Sequence, residues 1–456
     1  MSAVVDAAAG VEPLLELAQR VADQARQGEQ VEAFVARYAD TSVRVYEGEI
    51  EHLTSARSEG IGVRVIRDGR TGFAYAGTLD HDAVADVLAE ARDNVAFGTP
   101  DEFAGLAEPD GVTPVQQDLW RDDLATFPTE QKVALARELE QATLGADRRV
   151  RVEESDYGDV LAEAAVATST GIASAGRQTA ASLSVGTLAD DGDVTHSGFG
   201  FTVGRSPADF DLGKAACDAA ERATRLIGAT KPATGKVTVV LDPFVTAQLL
   251  RVMSATLNGE AVSKGRSFFA GRLGEVVASP LFTLVDDPTN PLAYTASEVD
   301  GEGLGTRRNV LVEAGVLQMF VQSAYSARRA GTVSTGNAVR GGFSGPPRCG
   351  CLALSLAPGT KQQAALVAGV DDGLLVQSVQ GLHSGVNPVS GDFSTGASGL
   401  LIRGGELGAP VKEFTIASTL QRMLLDVVEV GGDVEWLPMS ASGVTLVVRD
   451  VTMSGT

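Results

Sequence analysis

Leu249-Leu250-Arg251-Val252-Met253-Ser254-Ala255-Thr256-Leu257-Asn258-Gly259-Glu260 is followed closely by Lys264-Gly265-Arg266-Ser267-Phe268-Phe269-Ala270-Gly271. Upstream stand a β-rich run, Val237-Thr238-Val239-Val240-Leu241, and Asp242-Pro243, a helix start. The leucine pair therefore lies on a helix that opens the second half of the chain. The six positions after it, Arg251 to Thr256, hold neither histidine nor carboxylate. A catalytic zinc needs about three ligands from His, Asp, Glu or Cys, plus one open position for water. Arginine has no lone pair to give a metal, and threonine is a poor zinc ligand. No zinc-bound water can be assembled from this stretch, and by itself it reads as an ordinary amphipathic helix.

Downstream of Leu281, short β runs dominate: Phe282–Val285, Asn309–Glu313, Leu352–Leu356, Leu374–Leu382 and Val444–Val448, separated by Gly and Ser loops. This pattern predicts a mostly antiparallel sheet or barrel. Upstream, the turn-rich connector Gly-Ala-Thr-Lys-Pro-Ala-Thr-Gly at 228–235 marks a boundary between a domain at 1–230 and a second at 231–456. Helical spacing of Leu14, Leu15, Leu17, Ala18, Val21 and Ala22 predicts a helix over 12–39. Alternation at Val35, Tyr38, Val43 and Val45 predicts a strand pair within 33–46, and Asp68-Gly69 between two β-rich runs predicts a hairpin over 61–75. Helices follow over 82–97, from Pro128, and from Pro207 to about Ile227, with strand chemistry over 149–204. The fold class is α+β, with helices and antiparallel hairpins first and a β-rich domain after.

At 456 residues with 44% hydrophobic content, the chain can build a sizeable core without disulfides. Its three cysteines, Cys217, Cys349 and Cys351, suit a reducing compartment. No secretory signal pattern and no run of about 18 apolar residues occurs, so a cytoplasmic location is expected, with no membrane contact. A net charge of −22 argues against a nucleic-acid surface.

Several strings, in order and spacing, resemble the TldD/PmbA peptidase family. They are Gly60–Ala74, Ser263–Gly271, Val285-Asp286-Asp287-Pro288, Asp300-Gly301-Glu302-Gly303 and Thr335-Gly336-Asn337-Ala338-Val339-Arg340. The most specific is Gly381-Leu382-His383-Ser384-Gly385-Val386-Asn387-Pro388-Val389-Ser390-Gly391-Asp392-Phe393-Ser394, which looks like the PmbA (TldE) branch. In the TldD branch an HExxxH motif directly follows the leucine pair. Here its positions have degenerated, with Arg251, Val252 and Thr256 where the His, Glu and His would stand. The resemblance implies no metal in this chain and a heterodimer with a TldD-like catalytic subunit that supplies zinc and the general base. It also implies a shared cavity for extended peptide substrates, held through backbone hydrogen bonds.

The remaining chemistry is thin. His383, Asn387, Ser390 and Asp392 belong either to a loop lining such a cavity or to a plain turn. Cys349-Gly350-Cys351 offers only two soft ligands, and a cysteine nucleophile with His383 as base is the alternative that would make the chain a peptide- or natural-product-tailoring enzyme. A peptide-binding protein is a third possibility. Arg251 either meets an acid of a substrate or partner, or pairs within the chain. Cys217 is expected in the core, and His52, His81 and His196 at surface or turn positions.

Overall fold

The protein is described by a computed structural model covering residues 10–455. Six antiparallel strands form the first sheet: β1 (Glu29–Tyr46), β2 (Glu49–Arg67), β3 (Arg70–Ala76), β4 (Val150–Thr168), β5 (Ala173–Asp191) and β6 (Val194–Gly204), in the order β3-β2-β1-β4-β5-β6. Its central strands run 18 or 19 residues, long enough to carry two separate cores. At one end, the helices Glu12–Ala22 and His81–Asn94 pack on Val31, Ala33, Val35, Ile61 and Val63. At the other, Thr129–Ala146 and Leu212–Thr224 pack on Val43, Val45, Val152, Leu183 and Val185. The last helix lies so close to β6 that a Cβ on Gly200 would fall 1.9 Å from the Ala215 carbonyl oxygen.

The second half opens with β7 (Gly235–Leu241) and the helix Pro243–Ser254, whose N-cap Asp242 accepts from the Phe244 N–H. A four-stranded sheet in the order β10-β9-β8-β13 combines β8 (Leu284–Asp286), β9 (Asn309–Glu313), β10 (Val316–Leu317) and β13 (Leu354–Leu356). The short pair β11 (Ala338–Val339) and β12 (Arg348–Cys349) lies between them in sequence. Then come β14 (Asp372–Gln380), β15 (Asp392–Arg403), β16 (Glu406–Thr419), β17 (Val427–Val430) and β18 (Leu446–Ser454). Strands β16-β15-β14-β7-β18 close on themselves through β16–β18, which makes a five-stranded barrel. Closure leaves no free edge among those five strands. The expected α+β class and C-terminal barrel are present. One barrel pairing, β7 with β14, is parallel, because a long excursion of the chain separates these two strands.

Several element boundaries differ from the sequence expectation. The first helix stops at Ala22, not near residue 39. Its apolar 3.6-residue period ends there, Gly28 turns the chain at φ +80°, and Glu29 begins β1. Residues 33–46 belong to one strand rather than a pair, with the reversal at Glu47-Gly48, both at positive φ. The predicted Asp68-Gly69 hairpin forms, with both residues at positive φ. After Pro207 there is only one 3-10 turn, and the helix proper starts at Leu212, capped by Asp211. No helix of the described residues is long and apolar enough to cross a membrane.

Candidate functional site

The helix Pro243–Ser254 ends before the 251–256 segment is complete. Leu249, Leu250 and Met253 face the core, while Arg251 projects outward from the last turn. The Thr256 N–H turns back to the Met253 carbonyl at 2.8 Å, a tight final turn that swings Thr256 inward. Thr256 is fully buried, and its hydroxyl also donates to Met253 O at 2.6 Å. Val252 is half-buried. Arg251 and Thr256 thus face different surroundings. Arg251 makes no ion pair among the described residues, so its guanidinium is not held within the chain. Among the described residues no cluster of three or more His, Cys, Asp or Glu could hold a metal. These residues do not fit a zinc ion.

The Cys349-Gly350-Cys351 string lies against this helix end. The Asn258 side-chain amide donates to Cys349 O at 2.5 Å, and the Cys351 thiol lies 3.9 Å from the Ser254 carbonyl. Burial pushes both thiols up, for Cys351 well above the ordinary value with Asp286 adding to it. Both are held as thiols, the opposite of an activated nucleophile. Cys217, expected in the core, is exposed: alanines fill the inward face of its helix and it occupies the other side. We expect Ellman's reagent to titrate one thiol per native chain rapidly, and all three only after denaturation. Three fast thiols would contradict this burial pattern.

Three strings that were separate in sequence meet beside the cysteines. Asp286 is fully buried and accepts from the Leu352 and Ala353 N–H groups at 2.8 and 2.7 Å and from the Asn337 amide at 2.5 Å. Burial pushes its carboxyl up to about 6. Asn337 in turn accepts from Asn309 at 2.9 Å and from the Thr335 hydroxyl at 2.7 Å. Asp300 accepts from the N–H groups of Glu302, Leu304 and Ala338. Glu302 accepts from Ala324 N–H at 2.9 Å and lies 3.8 Å from the Arg64 guanidinium. Arg64 and Arg340 both clasp Glu32 at 2.7 Å. Burial pushes up the Asp300 and Glu302 carboxyls, with repulsion from Glu302 adding to the rise at Asp300 and repulsion from Glu32 to that at Glu302. Burial also opposes ionisation of Glu32, but the two arginines outweigh it and hold that carboxyl below its usual range. This buried network ties β1 and β2 to the second half of the chain.

The loop 381–392 is a different kind of site. His383 is exposed on the short helix Leu382–Gly385. Asn387 Oδ1 accepts from the Val389 and Ser390 N–H groups, and Ser390 Oγ donates to Asp392 at 2.6 Å. All four named residues are exposed. The loop is pinned to the segment after the motif helix by Phe268 N–H donating to Pro388 O at 3.1 Å. It lines neither of two large cavities, one of about 870 Å³ against β1, β4 and β5 with Trp120, Tyr294 and Arg340 in its wall, the other of about 590 Å³ beside Asn258 and Cys349. No hydrogen bond links His383 to either cysteine. His52 and His81 are exposed as expected, but His196 is buried on β6, 3.4 Å from Asp191, because strand alternation turns it inward with Gly198 and Gly200.

Comparison with known proteins places this geometry. Models of the PmbA/TldA metallopeptidase match three segments: domain 1 at residues 31–95, the central domain at 122–227 and the C-terminal domain at 234–455. The chain belongs to the PmbA/TldD family. It is similar to metalloprotease PmbA of Escherichia coli O157:H7, 28% identical over 93% of this chain and 91% of that one. A TldD homologue of Haemophilus influenzae is 26% identical, with 91% of each chain covered. The crystal structure of TldE from Thermococcus kodakarensis superposes with a TM-score of 0.86 at 26% identity, covering 97% of this chain and 99% of that one. Within the PmbA/TldD fold, the strings around Asp286, Asp300 and Asn337 are parts of one hydrogen-bonded core rather than separate sites.

Proposed function

We propose that this chain is the non-catalytic subunit of a heterodimeric zinc metallopeptidase, and that a TldD-like partner supplies both the zinc and the general base. The observation that carries this is the end of the helix Pro243–Ser254, where Arg251 faces solvent and Thr256 is buried with its hydroxyl bonded to the helix. The surrounding family architecture is intact, yet Arg251, Val252 and Thr256 offer a metal no ligand. The free Arg251 guanidinium and the exposed loop carrying His383, Asn387, Ser390 and Asp392 are then available to line a cavity closed by the partner. Extended peptides are the substrate class, the cytoplasm the location, and neither nucleic acid nor membrane takes part. Metal analysis and peptidase assay test this, on the chain alone and after co-expression with a TldD-like chain. Zinc and activity are expected only in the co-purified complex. Stoichiometric zinc with chelator-sensitive peptidase activity in the isolated chain would overturn the proposal.

A further inference from the structure

The cavity of about 590 Å³ lies between the first sheet and the segment after the motif helix, and its volume is that of a small-molecule site. Arg64, from β2, is in its wall. That side chain is 8% exposed, its Nη2 is engaged by Glu32, and its Nε finds no hydrogen-bond partner among the described residues. A buried N–H without an acceptor is uncommon in native proteins and calls for a missing partner. Arg348 stands in the same wall, exposed and without an ion pair among the described residues.

Two carboxylates share the cavity, Asp101 and Glu260. Burial opposes the ionisation of Asp101, but the Phe103 N–H and the Tyr325 hydroxyl, at 2.7 Å, outweigh it and keep this carboxyl below its usual range. Glu260 is partly offset by Lys264 at 2.5 Å. A simple anion would meet Arg64 and Arg348 but be repelled by Asp101. A simple cation would meet the reverse. The lining is matched by a ligand that carries both signs within one small molecule. Ile66, Ala104, Pro347 and the Tyr325 ring are the apolar parts of the wall.

We propose that this cavity binds a short zwitterionic peptide, its α-carboxylate accepting from Arg348 and the Arg64 guanidinium, and its α-ammonium donating to Asp101 and Glu260. The site is contained in one chain, so it stands or falls separately from the heterodimer proposal. The test is calorimetric titration of the purified chain, without partner or metal, with L-alanyl-L-alanine, its N-acetyl derivative and its C-terminal amide. Saturable binding is expected, weakened about tenfold or more by blocking either end, which is the loss of one charge-assisted contact. Arg348→Ala and Asp101→Asn, both outside the buried ion-pair core, should weaken the free dipeptide similarly. Absence of saturable binding up to about 10 mM, or equal binding of the blocked dipeptides, would overturn the proposal. Unchanged binding by both variants would overturn it as well.

Discussion

Glu32→Ala is expected to cost about 3–5 kcal/mol of folding stability, because it removes the shared partner of two buried guanidinium groups. Glu32 is 1% exposed and receives Arg64 and Arg340 at 2.7 Å each. Without it, Arg64 retains only Glu302 at 3.8 Å, and Arg340 retains the carbonyls of Gly301 and Gly345 and its stacking on Phe34. Neither replaces a carboxylate in a water-poor setting. Glu32→Gln keeps a hydrogen-bonding oxygen but not the charge and should fall between the two. Glu59→Gln, which breaks a half-exposed pair with Arg37, should change stability by about 0.5 kcal/mol or less. Denaturant midpoints of the three variants decide it. A Glu32→Ala protein within about 1 kcal/mol of the parent would show that the cluster does not hold the two halves together.

Much of the architecture was legible because it rests on local signals. The Asp68-Gly69 turn, the Asp242-Pro243 helix start and the β runs of the second half each carry their own residue chemistry. What failed was adjacency. Helical spacing in 12–22 ran into strand alternation from residue 29 with only the short turn at 23–28 between them, and neighbouring periods of 3.6 and 2 are hard to separate by pattern alone. Cys217 and His196 were misplaced for a related reason. Which side of an alanine-rich helix faces inward, and which parity of a glycine-rich strand does, is set by the neighbour it packs on. The absence of zinc ligands at Arg251–Thr256 was readable directly. The Asp286–Asn337 and Glu32–Arg340 contacts were not, since they join residues 51 and 308 positions apart. The polar strings that supply them were visible, but their meeting place depends on the barrel and the first sheet being assembled.

Asp286→Ala should destabilise the chain by roughly 3 kcal/mol or more, because it strands three donors in a fully buried site. Asp286→Asn is not a rescue. Oδ1 could still accept from the Leu352 and Ala353 N–H groups, but an amide nitrogen at the Oδ2 position would confront the Asn337 amide. Turning Asn337 over would then break its acceptor contacts with Asn309 and Thr335. The pH dependence separates this site from the Glu32 cluster. Burial raises the folded Asp286 carboxyl to about 6, from an ordinary 3.8. The native state therefore binds this proton more tightly than the unfolded chain. Its contribution is largest below the unfolded value and is lost as pH rises through 6. Asp300 and Glu302 act in the same direction. Glu32 acts oppositely, since its folded value is lowered and its contribution is lost as pH falls below its ordinary 4.5. Thermal midpoints of the parent should rise as pH is lowered from about 8 to 6 and fall again below about 4.5. The deficit of Asp286→Ala should be larger at pH 5 than at pH 8, whereas that of Glu32→Ala should shrink once the medium is acid enough to protonate Glu32 in the unfolded chain. Parallel pH profiles for the two variants would mean that Asp286 behaves as an ordinary paired carboxylate, and that its burial does not set its protonation.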